Sequence, residues 1–226
     1  MPQVKLQLPN LKFSNDDTQG EAQIKWQTSE APRAAQLLAQ KEWDFGLLDV
    51  QGSLLRANVA KVHKYLPLDI SKDVRDYLRD ALVQGKGSQV KFKTRGDMNV
   101  FPFTSAEQGE FRISGTFKEG TYLTAPRSVK LQGGAPLPLP QLTQVQGELL
   151  IDRNSLSVKD LSARMPGPQG LRLQKASLGI EDFLRDPTLQ VGLETKGPLQ
   201  DVLTLARGFS GSQANTLSTL LVQTTT

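Results

Sequence analysis

Apolar and polar residues alternate one by one through most of this chain. Val90, Phe92 and Thr94 alternate with Lys91, Lys93 and Arg95. Phe111, Ile113, Gly115 and Phe117 alternate with Arg112, Ser114 and Thr116, and Leu189, Val191 and Leu193 with Gln190, Gly192 and Glu194. Successive side chains of a strand point to opposite faces, so each run is a strip with one oily and one wet side. The pattern predicts strands over residues 3–8, 10–14, 20–27, 46–57, 88–97, 110–118, 120–124, 144–151, 155–162, 170–178 and 188–196, most of them bounded by Gly, Asn, Asp or Pro. The Gly- and Pro-rich stretches 132–140 and 166–170 read as loops or edge crossings.

Helical spacing is scarce. The clearest case runs over residues 72–84, with Ser71 as N-cap and Asp73 in the first turn. Val74, Tyr77, Leu78, Ala81 and Leu82 form its apolar stripe, and Gly85 is placed to end it. A shorter helix is expected at about 198–207, with Pro198 at its first position and Val202, Leu203 and Leu205 on its apolar side. Residues 32–41 could make a third, followed by Trp43 and Phe45 as core anchors. Two or three short helices cannot cover so many one-faced strands. Either the strands close into a sandwich, whose facing sheets give the same alternation, or the apolar face is meant to hold something else.

Composition narrows the chemistry. The 226 residues are 38% hydrophobic but only 6% aromatic, so the apolar surface is mostly aliphatic and makes no directional demands. The formal charge of +4 is spread along the strands, which describes a solvated face and not a nucleic-acid surface. Having no cysteine, the chain has no disulfides or thiolate metal sites. Its one histidine, His63, sits before Tyr65-Leu66-Pro67 and reads as structural or exposed. Gly208-Phe209-Ser210-Gly211-Ser212 lacks the glycine spacing of a nucleophile elbow, and Gly85-Lys86-Gly87-Ser88 has Asp80 where a phosphate loop needs its first glycine. Asp16-Asp17 and Glu181-Asp182 read as solvated turn residues. The chain therefore offers no catalytic residue, no metal site and no cofactor. It has no apolar run long enough to span a bilayer, and its strand-like start and finish suggest an internal piece of a longer protein with an added initiator Met.

An internal echo is present as well. Val50-Gln51-Gly52-Ser53-Leu54-Leu55 returns as Val145-Gln146-Gly147-Glu148-Leu149-Leu150. The stretch from Val50 continues through Val62-His63-Lys64-Tyr65-Leu66-Pro67, the helix around Val74-Arg75-Asp76-Tyr77-Leu78, and Val90-Lys91-Phe92-Lys93-Thr94-Arg95-Gly96-Asp97 to Phe101-Pro102-Phe103. Gly109-Glu110-Phe111-Arg112-Ile113-Ser114-Gly115, Leu142-Thr143-Gln144-Val145-Gln146-Gly147-Glu148-Leu149 and Gly197-Pro198-Leu199-Gln200-Asp201-Val202-Leu203 follow in order. This series, over residues 46–211, resembles the YhdP family of AsmA-like envelope proteins of Gram-negative bacteria. The first 45 and last fifteen residues match it poorly. Leu139-Pro140 stands where the family has Trp-Pro, and the family's N-terminal membrane helix is absent.

The resemblance implies a mainly β fold, an elongated, curved antiparallel sheet forming an open hydrophobic groove of the repeating β-groove type. Residues 1–109 would be one groove unit and 110–226 a second, within a continuous sheet. The implied function is phospholipid transport between membranes, as a non-catalytic segment of a periplasm-spanning bridge anchored in the inner membrane. Its partners would be phospholipid acyl chains and, through the rest of the protein, the inner and outer membranes. Val90, Phe92, Phe111, Ile113, Phe117, Leu149, Ile151, Leu171, Leu173, Leu189, Val191 and Leu193 would line the groove. The helix carrying Val74, Tyr77, Leu78, Ala81 and Leu82 would cap or gate it, and Lys86, Lys91 and Lys93 are candidates for head groups at its rim. The rival reading is a non-catalytic envelope tether or scaffold that binds proteins by strand addition at its open edges, through which the piece could also dimerise.

Overall fold

The computed structural model describes residues 3–66, 70–124, 126, 128, 141–165, 172–186, 188–196 and 220–222. Nine antiparallel strands follow one another in a single open sheet, in sequence order: β1 (Lys5–Ser14), β2 (Thr18–Gln27), β3 (Leu47–Asn58), β4 (Leu82–Asp97), β5 (Gly109–Leu123), β6 (Gln141–Asp152), β7 (Ser155–Arg164), β8 (Arg172–Ile180) and β9 (Gln190–Lys196). A three-residue β10 (Leu220–Val222) lies parallel to β9. Helix α1 (Ala31–Ala39) falls in the β2–β3 connection. A 3-10 helix (Val59–Lys64) and α2 (Lys72–Ala81) fall between β3 and β4. The expected helix at 198–207 lies outside the described residues.

Register shows what the alternation builds. Residues paired across a ladder share a face. Leu11 pairs with Ala22, Ala22 with Gly52, Gly52 with Phe92 and Phe92 with Ile113. The row continues from Ile113 to Ile151, Leu156 and Ile180. A second row runs Gly115, Leu149, Val158, Leu178, Val191. On the other face, Gln23, Gln51, Lys93, Arg112 and Asp152 form an equally continuous polar row. All apolar strips thus fuse into one surface. Among the described residues no second sheet lies over it, so the strands do not close into a sandwich.

The sheet bends at one-residue bulges. Gln89, Glu119, Gln144 and Asp160 adopt positive φ, and each sits where a ladder shifts register, on β4, β5, β6 and β7 in turn. A bulge adds a residue to one strand, kinks it and increases its twist, so bulges on four neighbouring strands curl the sheet in that region. The curl brings side chains of one face together without a covering layer. Val145, Val158, Leu161, Ala163, Met165, Leu173 and Ala176 form a buried cluster there, with Phe117, Tyr122 and Leu149 packed against it.

Four local expectations are corrected. Residues 3–8 and 10–14 are one strand, β1, with a register shift between Leu8 and Leu11, and residues 110–118 and 120–124 are one strand, β5, with the bulge at Glu119. Helix α2 stops at Ala81, with Leu82 as its C-cap, and Gly85 lies inside β4 at φ 155°. The strand takes over early because Leu82 and Gln84 already pair with Tyr122 and Thr121. Trp43 and Phe45 are exposed surface residues, not core anchors. Asp44, between them, turns inward to a polar cluster and so sends its neighbours outward.

Candidate functional site: a one-faced apolar trough

The floor is made by ring-over-glycine contacts as well as by aliphatic rows. A Cβ on Gly52 would lie 2.5 Å from Phe92 Cζ, and one on Gly147 would lie 3.1 Å from Phe117 Cζ. The echoed Val-Gln-Gly segments therefore share a structural cause: each glycine makes room for a phenylalanine of the adjacent strand. Phe13 and Leu54 likewise crowd Gly20, and Val90 crowds Gly115. These rings fill the space that the missing glycine side chains leave on the floor.

Of the twelve expected lining residues, Val90, Phe92, Phe111, Ile113, Phe117, Leu149, Ile151, Leu173 and Val191 belong to this apolar face by register or packing. Leu173 is buried and the other eight are half-buried. Leu189 is half-buried just before β9, Leu193 pairs through its backbone with Ala176, and Leu171 lies outside the described residues. The expected rim position fails for Lys91 and Lys93. Lys91 and Lys93 alternate with Val90 and Phe92 and so occupy the polar face, where Lys93 pairs with Glu110 at 2.6 Å. Lys86 pairs with Glu119 at 2.5 Å. The polar face has its own depression of about 680 Å³, lined by Glu21, Gln51, Lys91 and Arg112 among others. A twisted sheet is saddle-shaped, so each face is concave along one diagonal.

Loops fold over both ends of the strands and turn the apolar face into a trough. At one end, Trp26 projects from the apolar face beside Leu6 and Leu48, and its ring N–H donates to the Phe45 carbonyl at 2.7 Å. Phe103, buried, lies over Gly96 and Gly109, and its ring meets Phe101 edge-on at 5.4 Å; Phe101 in turn meets Phe111 at 5.6 Å. Sequence reasoning left Phe101 and Phe103 out of the lining. A network holds this lip. The Ser29 hydroxyl donates to Asp44 at 2.6 Å, Asn99 donates to Asp44 and Asp97, and the Phe45 N–H donates to Asn99 at 2.8 Å. These bonds, led by the Ser29 hydroxyl, hold the Asp44 carboxyl below the usual carboxylate range.

At the other end α2 packs against the sheet. Ala81 is fully buried, and the Tyr77 hydroxyl bonds that of Tyr122, whose ring packs with the buried cluster. Burial is the main cause that pushes both phenols up. Of the expected stripe, Tyr77, Leu78 and Leu82 are half-buried while Val74 is exposed. His63 is half-buried, its Nδ1 3.1 Å from the Ala60 carbonyl inside the 3-10 helix, a structural position.

No group of metal-ligating side chains forms among the described residues, and no helix there is long and apolar enough to cross a membrane. Searches of curated proteins and of solved structures found no match. A family model described as YhdP protein matches residues 2–222, which extends the likeness into the N-terminal strands that the motif series leaves out. One open, one-faced sheet and this end-to-end match agree: the chain belongs to the YhdP family.

Proposed function

We propose that this chain is a segment of a phospholipid-transfer bridge of the cell envelope, non-catalytic and periplasmic, whose trough shields acyl chains from water. The observation that carries the reading is the unbroken apolar row from Leu11 to Ile180, left without a second layer among the described residues. Each methylene moved from water is worth about 0.8 kcal/mol, so two acyl chains left in water cost on the order of 20 kcal/mol. Where its own side chains leave it uncovered, a floor of aliphatic and aromatic positions removes most of that cost. It offers few polar groups that would fix a lipid in one place, Thr94 between Val50 and Phe111 being one, and this suits passage better than a pocket would. α2, bonded to the sheet through Tyr77 and Tyr122, caps one end of the strands.

The test is photo-crosslinking on the purified chain. A crosslinker at Phe92, Ile113 or Val191 should label phospholipid, and one at Arg112 on the polar face should not. Labelling confined to Arg112 would overturn the reading. Ile113→Asp separates it from a scaffold role: a folded variant that still binds partners and still supports lipid transport would favour the scaffold.

A further inference from the structure

We propose that Trp43, with Phe45 and the cation of Lys41, seats the glycerol–ester boundary of a glycerophospholipid whose tails lie in the trough. This rests on the lipid reading and adds where the water-facing part of the molecule is held. Trp43 is 84% exposed and Phe45 is 61% exposed. Such area left in water is unfavourable, and a mobile loop would fold it away. This loop is pinned on both sides. Asp44 accepts bonds from the Ser29 hydroxyl and the Gly46 N–H, the Phe45 N–H donates to Asn99, and the Phe45 carbonyl accepts from Trp26. The indole is therefore presented outward from a rigid lip.

Place and chemistry agree. Trp26 belongs to the apolar face, and its ring reaches the backbone at Phe45, so the loop that presents Trp43 is tied to the edge of the oily floor. An indole is a large apolar plate with one polar N–H, and it favours the zone where acyl chain gives way to ester. Lys41 makes no ion pair among the described residues, and Arg33 of α1 lies 3.9 Å from Asp97 at the same lip. These two cations suit the phosphate that follows the ester. At the opposite lip, the hydroxyls of Tyr77 and Tyr122 satisfy each other.

The chain's two tryptophans make the test. Delipidated protein receives brominated phosphatidylcholine from cyclodextrin, with no vesicles present. In Trp43→Phe the remaining emission is that of Trp26, and its quenching reports a loaded trough. The extra emission of the wild type is that of Trp43. It should be quenched by bromines near the ester carbonyls more than by bromines near the chain ends, and Trp43→Ala should weaken lipid retention roughly tenfold. Quenching of Trp26 without Trp43 overturns this proposal and leaves the trough reading standing. Quenching of Trp43 only when vesicles are added overturns it in favour of a membrane-docking loop. Quenching of neither tryptophan overturns both.

Discussion

The two halves of the sheet carry the same alternation and bury it to different depths. On β1, Leu6 is 48% exposed and Leu8 and Leu11 are each 37% exposed. Same-face residues of β6–β8 are buried, Leu161 to 7% and Leu173 to 6%. The edge position of β1 explains only part of this, because Ile24 and Val50 on the next two strands are also merely half-buried. The difference follows the positive-φ bulges. β1 and β3 each shift register once, between Leu8 and Leu11 and opposite Gln19 and Gly20, with no residue of positive φ, whereas β4 to β7 each carry one at a register shift. In a single-layered sheet, curvature decides how much of a face is dry. The tightly curled half is its own core, and the flatter half leaves room for something else.

The largest effect should separate the halves directly. Leu161→Ala removes a close-packed side chain from the curled half and should cost about 2–4 kcal/mol. Leu8→Ala, on a face already wet, should cost less than about 1 kcal/mol. Urea denaturation midpoints measure both. Equal losses would mean that the halves are packed alike and that curvature is not what buries the cluster.

The bulges themselves give a smaller test. A β-branched residue fits poorly at positive φ, so Gln144→Val should destabilise by about 1 kcal/mol. Gln51→Val, on an extended strand of the flatter half, should be neutral or slightly stabilising. If Gln144→Val is neutral, β6 does not need its bulge.

The middle of the flat half is the more legible in sequence, since alternation along residues 47–54 and 90–97 fixes both face and register there. The bulges also left a trace, as a change of parity. On β5 the apolar face is held by Phe111, Ile113, Gly115 and Phe117, then by Gly120 and Tyr122. On β7 it passes from Leu156 and Val158 to Leu161 and Ala163. Reading such slips as strand ends divides both β1 and β5 in two. The lip was not legible. Whether Trp43 turns in or out depends on Asp44 meeting Ser29 and Asn99, and no periodicity encodes a polar cluster gathered from three connections. Lys91 and Lys93 lie on the polar face and not at a rim, as their own alternation with Val90 and Phe92 requires.

The smallest effect should come from acid, at the lip of the open half. The Asp44 carboxyl is held low chiefly by the Ser29 hydroxyl, then by the Ser29 N–H and the Asn99 amide, with burial opposing them. A carboxylate whose pKa is depressed on folding binds protons less readily in the folded state. Its contribution is complete above the unfolded carboxylate's pKa, near 4, and is lost as pH falls through the lower folded value. Below about pH 4 the loop carrying Trp43 should therefore loosen, seen as faster amide exchange at Phe45 and Gly46, whose N–H groups donate into this network. The aliphatic cluster Val145, Val158, Leu161 and Leu173 has no titrating group of its own, so exchange on β6–β8 should change less over that range. Asp44→Asn should raise exchange at neutral pH and remove its acid dependence. Should the variant keep the wild-type acid response, the lip is held by something other than this carboxylate, and the rigid presentation of Trp43 loses its cause.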